Sequence, residues 1–84
     1  PDSVEALDAR ARLRGASGDS AGEAEDLGRV IDHPRVDPTT RLSALSRRAQ
    51  VRVLDGDRRG ANEDATAVLA LDPHEATALR VRAS

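Results

Sequence analysis

One six-residue pattern occurs three times in this chain. Ala6-Leu7-Asp8-Ala9-Arg10-Ala11, Ala44-Leu45-Ser46-Arg47-Arg48-Ala49 and Ala78-Leu79-Arg80-Val81-Arg82-Ala83 all read A-L-x-x-R-A. The second copy follows the first by 38 residues and the third follows the second by 34. More of the chain keeps the same step. Arg14 matches Arg52, Gly18-Asp19 matches Gly56-Asp57 and Val30-Ile31 matches Val68-Leu69, all at 38; Asp37-Pro38 and Asp72-Pro73 stand 35 apart. The first unit therefore holds a few extra residues around His33 to Val36, in a connection where insertion is tolerated. A period of this length marks units that cannot bury their apolar faces alone and must stack on neighbours.

The spacing of apolar residues predicts five helices. The first runs from Asp2 to Ala16, capped by Asp2 with Glu5, with Val4, Leu7 and Ala11 on one stripe and Ala6, Ala9 and Leu13 on a second face that should also pack. Ser20 and Glu23 form a capping box for the second, which carries Ala24, Leu27, Val30 and Ile31 and stops at His33-Pro34. Gly22 and Gly28 weaken it by up to ~1 kcal/mol each relative to Ala, unless Gly28 permits a close helix approach. Asp37 and Pro38 open the third, with Leu42, Leu45, Ala49 and Val53 as its main stripe and Ala44, Val51 and Leu54 as a second. Asp55-Gly56-Asp57 is a turn. The fourth helix spans Arg58 to Leu71 with Ala61, Ala65, Val68 and Leu69 inward. An Asp72 to Glu75 box starts the fifth, whose stripe is Ala76, Leu79 and Ala83 with nothing after it to cover it.

Eighty-four residues make one small domain. Its apolar residues are almost all Ala, Val and Leu, with no aromatic, Met or Cys. Disulfides and cysteine zinc sites are thereby excluded, and a reducing compartment, the cytoplasm, is the expected setting. The 13 basic residues are all Arg, which reads as GC-rich coding, and a bacterial source is expected. The net charge of -2 argues against a nucleic-acid footprint, and no apolar run reaches the length of a membrane span. The chain starts at Pro1 and ends at Ser84 inside a helical pattern, so it is expected to be a module of something longer.

Helix-turn-helix units of this length closed by Asp-Pro resemble the tetratricopeptide repeat. The likeness is clearest in the central unit. Leu45 stands at the family's large first-helix position, Ala49 at its small crossing residue, Ala61 at the small residue opening the second helix, Ala65 and Val68 at packing positions and Pro73 at the closing proline. The outer units match through Leu7 with Ala11 and Leu79 with Ala83. The chain departs from the family where aromatics are usual, at Leu45, Arg52 and Ala65, and at Glu23, where a small residue is the rule. Other helical-hairpin repeats fit the same pattern. The resemblance implies an all-α fold, a short right-handed solenoid of about two and a half units (residues 3–37, 38–72 and a partial 73–84).

It also implies a non-catalytic interaction module. First helices in such arrays line a concave groove that holds a peptide or a partner's helix. Here the groove would be lined by Glu5, Asp8 and Arg12, then Ser43, Ser46 and Gln50, then Thr77 and Arg80, with Arg47 at its edge. Ser46 and Gln50 replace the Asn and Lys by which some relatives clamp a terminal carboxylate, which argues against that ligand. The expected partner is another polypeptide, or a second copy through the open last helix. The alternative is a regulatory or oligomerisation segment of a larger bacterial enzyme or transcriptional regulator.

Sequence motifs offer no chemistry. Ser, His and Asp are present without a nucleophile elbow or phosphate loop. His33 and His74 sit beside prolines at helix ends, where no spacing supplies the three or four ligands a metal needs, so no cofactor is expected. The Glu63-Asp64 pair is placed on an exposed helix face. Interspersed acidic residues predict a solvated surface of ion pairs worth ~0–1 kcal/mol each. Arg10, Arg48 and Arg82, at one position of the period, are expected to bridge neighbouring helices.

Overall fold

The computed structural model describes residues 3–83. It is all-α: α1 (Val4–Ala16), α2 (Ser20–Ile31), α3 (Pro38–Leu54), α4 (Arg58–Leu71) and α5 (Ala76–Ala83). The chain packs each helix on the next, and α3 also meets α5. Among the described residues α1 and α3 do not pack on each other; α2 separates the first hairpin's outer helix from the second hairpin.

Two hairpins, α1–α2 and α3–α4, are closed by the same bonds 38 residues apart. In the first, Asp19 N–H donates to Arg14 O at 2.8 Å, Asp19 Oδ1 accepts from Gly22 N–H at 2.9 Å, and Gly18 takes φ +87°. In the second, Asp57 donates to Arg52 O at 2.8 Å, accepts from Gly60 at 2.9 Å, and Gly56 takes φ +82°. The positive φ makes glycine the favoured residue at the turn. Gly22 and Gly60 answer a different need. A Cβ on either would lie about 2.2 or 2.3 Å from the capping carboxylate, so a larger residue would force that carboxylate to shift.

The caps correct the sequence reading in three places. Asp2 lies outside the described residues, and Ser3 Oγ accepts from Ala6 N–H at 3.1 Å to open α1. The cap of α2 is Asp19, not Ser20: a carboxylate one residue earlier is already aimed at the free amides. Ser20 is released to donate its hydroxyl to Asp55, and Glu23 faces Arg47. At α5 the caps divide. Asp72 accepts from His74 N–H, while Glu75 Oε2 takes the Ala78 amide at 2.6 Å. Asp37 opens α3 as the sequence predicts, accepting from Thr40 N–H at 3.0 Å.

The core has two parts. Leu7, Ala11, Leu27 and Val30 meet Ala44 and Val51 across the α2–α3 seam. Leu45, Ala49, Ala61, Ala65 and Val68 meet Ala78 and Val81 of α5. Small side chains at these contacts let helices approach closely and leave little room for repacking. Several apolar residues expected inside lie outside. Ala6, Ala9 and Leu13 form a face on α1 that no described helix covers; their counterparts Ala44 and Val51 are buried by α2. Val53 is partly exposed and Leu54 is 83% exposed, since the last turn of α3 has no helix on that side. Leu79 is 46% exposed, so the Ala76, Leu79, Ala83 stripe lies outside the core and α5 is held by Ala78 and Val81 instead.

Candidate functional site

The residues singled out from the sequence divide into two groups. The first is ionic. Asp8 on α1 accepts from Arg12 Nε at 2.9 Å and from Arg47 Nη1 on α3 at 2.6 Å, and Arg47 reaches Glu23 on α2 at 3.6 Å. This cluster bridges the gap between α1 and α3. Burial, the largest single influence, pushes the Asp8 carboxyl up, and the bonds and charges of Arg12 and Arg47 together outweigh it and hold it below its ordinary 3.8. Arg47 is thus spent on a bridge within the fold.

The second group is a hollow between α3 and α5. Gln50, Thr77 and Arg80 form its polar rim, and Val53, Leu54 and Val81 its apolar floor, around an open volume of about 530 Å³. Arg80 Nη2 lies 3.5 Å from Thr77 Oγ1, which sets the guanidinium along the rim. The apolar floor is what sequence reasoning missed: Val53 and Leu54 were assigned to the core. Ser46 lies on α3, part-buried and lining neither place, and Ser43 and Glu5 are exposed. A smaller hollow of about 350 Å³ near the α2–α3 connection takes in Glu5, His33, Arg35 and Asp37. His33 Nδ1 accepts there from Arg35 N–H at 3.0 Å, a local turn contact. Among the described residues no three His, Asp or Glu side chains converge on a metal position, and no helix is long and apolar enough to cross a membrane.

The strongest electrostatics lie elsewhere, at two aspartates. Asp26 is fully buried and accepts from Arg10 Nε and Nη2 at 3.0 and 2.9 Å, with Arg14 at 3.6 Å. Asp64, 3% exposed, accepts from Arg48 Nε and Nη2 at 2.9 and 2.7 Å and from Arg52 Nη1 at 3.0 Å. These are forked guanidinium–carboxylate pairs, stronger and more directional than surface ion pairs. They correct two expectations: Asp64 is buried, unlike its neighbour Glu63, and these arginines are more than a solvated coat. A burial of this kind is tolerated because two guanidinium groups compensate each carboxylate. Arg10 and Arg48 do bridge helices as expected, but Arg82, at the third place in the period, has no ion-pair partner among the described residues and is exposed.

Hydrogen bonds from Arg10 hold the Asp26 carboxyl below its ordinary 3.8, against the opposing effect of burial and with help from the charges of Arg10, Arg14 and Arg29. A carboxylate with a lowered folded-state pKa stabilises the fold above its unfolded value, and the contribution disappears as pH falls through the folded one. The thermal midpoint should therefore drop as pH falls below about 4. Asp26→Asn should melt lower than wild type at neutral pH and show a shallower acid decline. Parallel acid limbs in calorimetry would remove Asp26 from this role.

Comparison with family models, with characterised proteins and with solved structures returned no match.

Proposed function

We propose that this chain is a non-catalytic protein-interaction module, a short right-handed α-solenoid of about two and a half tetratricopeptide-like units. In this reading α1, α3 and α5 are its first helices, and a peptide or a segment of a partner protein lies along them. One observation carries the reading: α3 and α5 flank an open hollow with an apolar floor of Val53, Leu54 and Val81 and a polar rim of Gln50, Thr77 and Arg80. Apolar area with a few directed polar groups is what a peptide site needs. Support for the stacked architecture comes from the hairpin bonds that recur 38 residues apart. We take the bacterial cytoplasm as its setting, on the cysteine-free, all-arginine composition. The uncovered faces at α1 and α5 also support the alternative, a regulatory or oligomerisation segment of a larger protein.

A displayed library of random peptides, selected on the intact protein, tests this. Selected peptides should lose about fivefold in affinity on Gln50→Ala, as one rim contact of about 1 kcal/mol implies, with the melting midpoint unchanged. If no peptide is selected, or if every one binds Gln50→Ala and Arg80→Ala as it binds wild type, the hollow is not the site.

A further inference from the structure

The interval between α3 and α5 repeats the interval between α1 and α3 in register but not in chemistry. At the first interval stand Asp8, Glu23 and Arg47, and Arg47 ties the two carboxylates together at 2.6 and 3.6 Å. The same places one unit later, 38 residues on for the first two and 34 for the third, hold Ser46, Ala61 and Val81. Two carboxylates and the guanidinium between them are exchanged for short uncharged side chains. None of the three is long enough to cross the interval as Arg47 does, and Val81 joins Val53 and Leu54 in an apolar floor. A smaller hollow adjoins the first, sharing Val53 and Val81 and adding Arg58, Ala61 and Asn62. Among the described residues, the charged side chains lining the two are Arg80 and Arg58, both exposed, and no carboxylate lines either. That stands out in a chain with 15 acidic residues against 13 basic ones.

We propose that the hollow between α3 and α5 takes an extended, acidic segment of a partner polypeptide, with an aliphatic side chain on the floor of Val53, Leu54 and Val81 and a neighbouring carboxylate on Arg80. The inference rests on reading the chain as an interaction module and names the chemistry of its partner. Charge decides the sign. A carboxylate is held by a guanidinium through two directed bonds, and it finds no like charge on the wall of this hollow. At the α1–α3 interval the same segment would meet Asp8 and Glu23, so the acidic preference belongs to one interval only. A basic segment would set its cations against Arg58 and Arg80 and is disfavoured. The rim decides the backbone. Gln50 and Thr77 offer an amide and a hydroxyl, which pair with peptide N–H and C=O groups. An extended chain presents those groups to a neighbour, whereas a helix spends them within itself.

The probes are short synthetic peptides, blocked at both ends, with a Leu-Leu pair flanked by glutamates, by glutamines or by lysines. They are titrated into the intact protein and followed by amide chemical shifts. Blocked ends leave side-chain carboxylates as the only anions. The glutamate peptide should give saturable shifts centred on Gln50, Val53, Thr77 and Arg80. It should bind at least about tenfold tighter than the glutamine peptide, with the lysine peptide weakest, and added salt should narrow the gap. Arg80→Glu should reverse the order of the glutamate and lysine peptides without moving the melting midpoint, since the side chain is exposed. Arg58→Glu should weaken the glutamate peptide in the same direction. Arg82→Glu, the same change of charge on α5 outside the hollow, should leave the order as it is. Four results overturn the proposal. They are no preference among the three peptides, a preference indifferent to Arg80→Glu and Arg58→Glu, one equally sensitive to Arg82→Glu, and a dimer of the protein that the glutamate peptide dissolves, which would put a second copy in the hollow. If displayed peptides bind the hollow through Gln50 yet carry no acidic residue, only this inference falls; if no peptide of either kind binds there, the interaction reading falls with it.

Discussion

Leu45→Asp abolishes the cooperative unfolding transition and most helical circular dichroism at 25 °C, while Leu79→Asp, the same change at the equivalent place in α5, shifts the midpoint by less than about 3 °C; this contrast is the expected result. Leu45 is enclosed by Ala49, Ala61, Ala65, Val68, Ala78 and Val81, all aliphatic. An aspartate there loses the leucine's packing, about 2–5 kcal/mol, and adds a buried carboxylate with no partner. A core of this size supplies only about 3–5 kcal/mol in all. Leu79 is half-exposed, so its replacement removes only part of a leucine's burial and leaves the new carboxylate in contact with water. A folded Leu45→Asp with an unaltered midpoint would mean that α3, α4 and α5 do not share this contact.

Removing Asp64 is the second large effect. Asp64→Ala leaves two guanidinium groups, Arg48 and Arg52, facing a dry contact with their shared carboxylate gone. Breaking a buried pair by deleting one member costs about 3–5 kcal/mol, reduced here because those side chains keep 19% and 27% of their exposure and can rehydrate. A net loss of about 2–3 kcal/mol corresponds to a fall in midpoint of at least about 10 °C for a domain of this length. Asp64→Asn keeps an acceptor oxygen and should lose less. Glu63→Ala, one residue away on the exposed side, serves as the control and should lose almost nothing. Equal midpoints for Asp64→Ala and Glu63→Ala would show that the forked pair contributes no stability.

The helices were legible because their ends carry strong local signals. Asp37-Pro38 and Gly56-Asp57 act through backbone angles that neighbours do not override. Asp26 and Asp64 were not legible one at a time, because an isolated aspartate on a helix is ordinarily solvated. They could have been found together: they stand 38 residues apart, in step with Arg10 and Arg48, and a charge that keeps pace with the apolar contacts belongs to the contact. Gly22 and Gly60 carry the same signal, yet Gly22 reads as a weakness when its helix is taken alone. Val53 and Leu54 were misplaced for the opposite reason. Their spacing is that of core residues, but among the described residues no helix covers that side of α3's last turn. Of the expected groove, Gln50, Thr77 and Arg80 converge; Asp8, Arg12 and Arg47 are brought together as an ionic bridge, which no local spacing could reveal.

The Arg47–Asp8 bridge also has a mechanical meaning. It ties α1 to α3, whose backbones do not approach closely, by charge, while the α2–α3 seam is joined by aliphatic contact. The two joints answer differently to their surroundings. Dissolved salt weakens the ion pairs and leaves the aliphatic seam untouched, so rising ionic strength loosens the link between α1 and α3 before it affects the core.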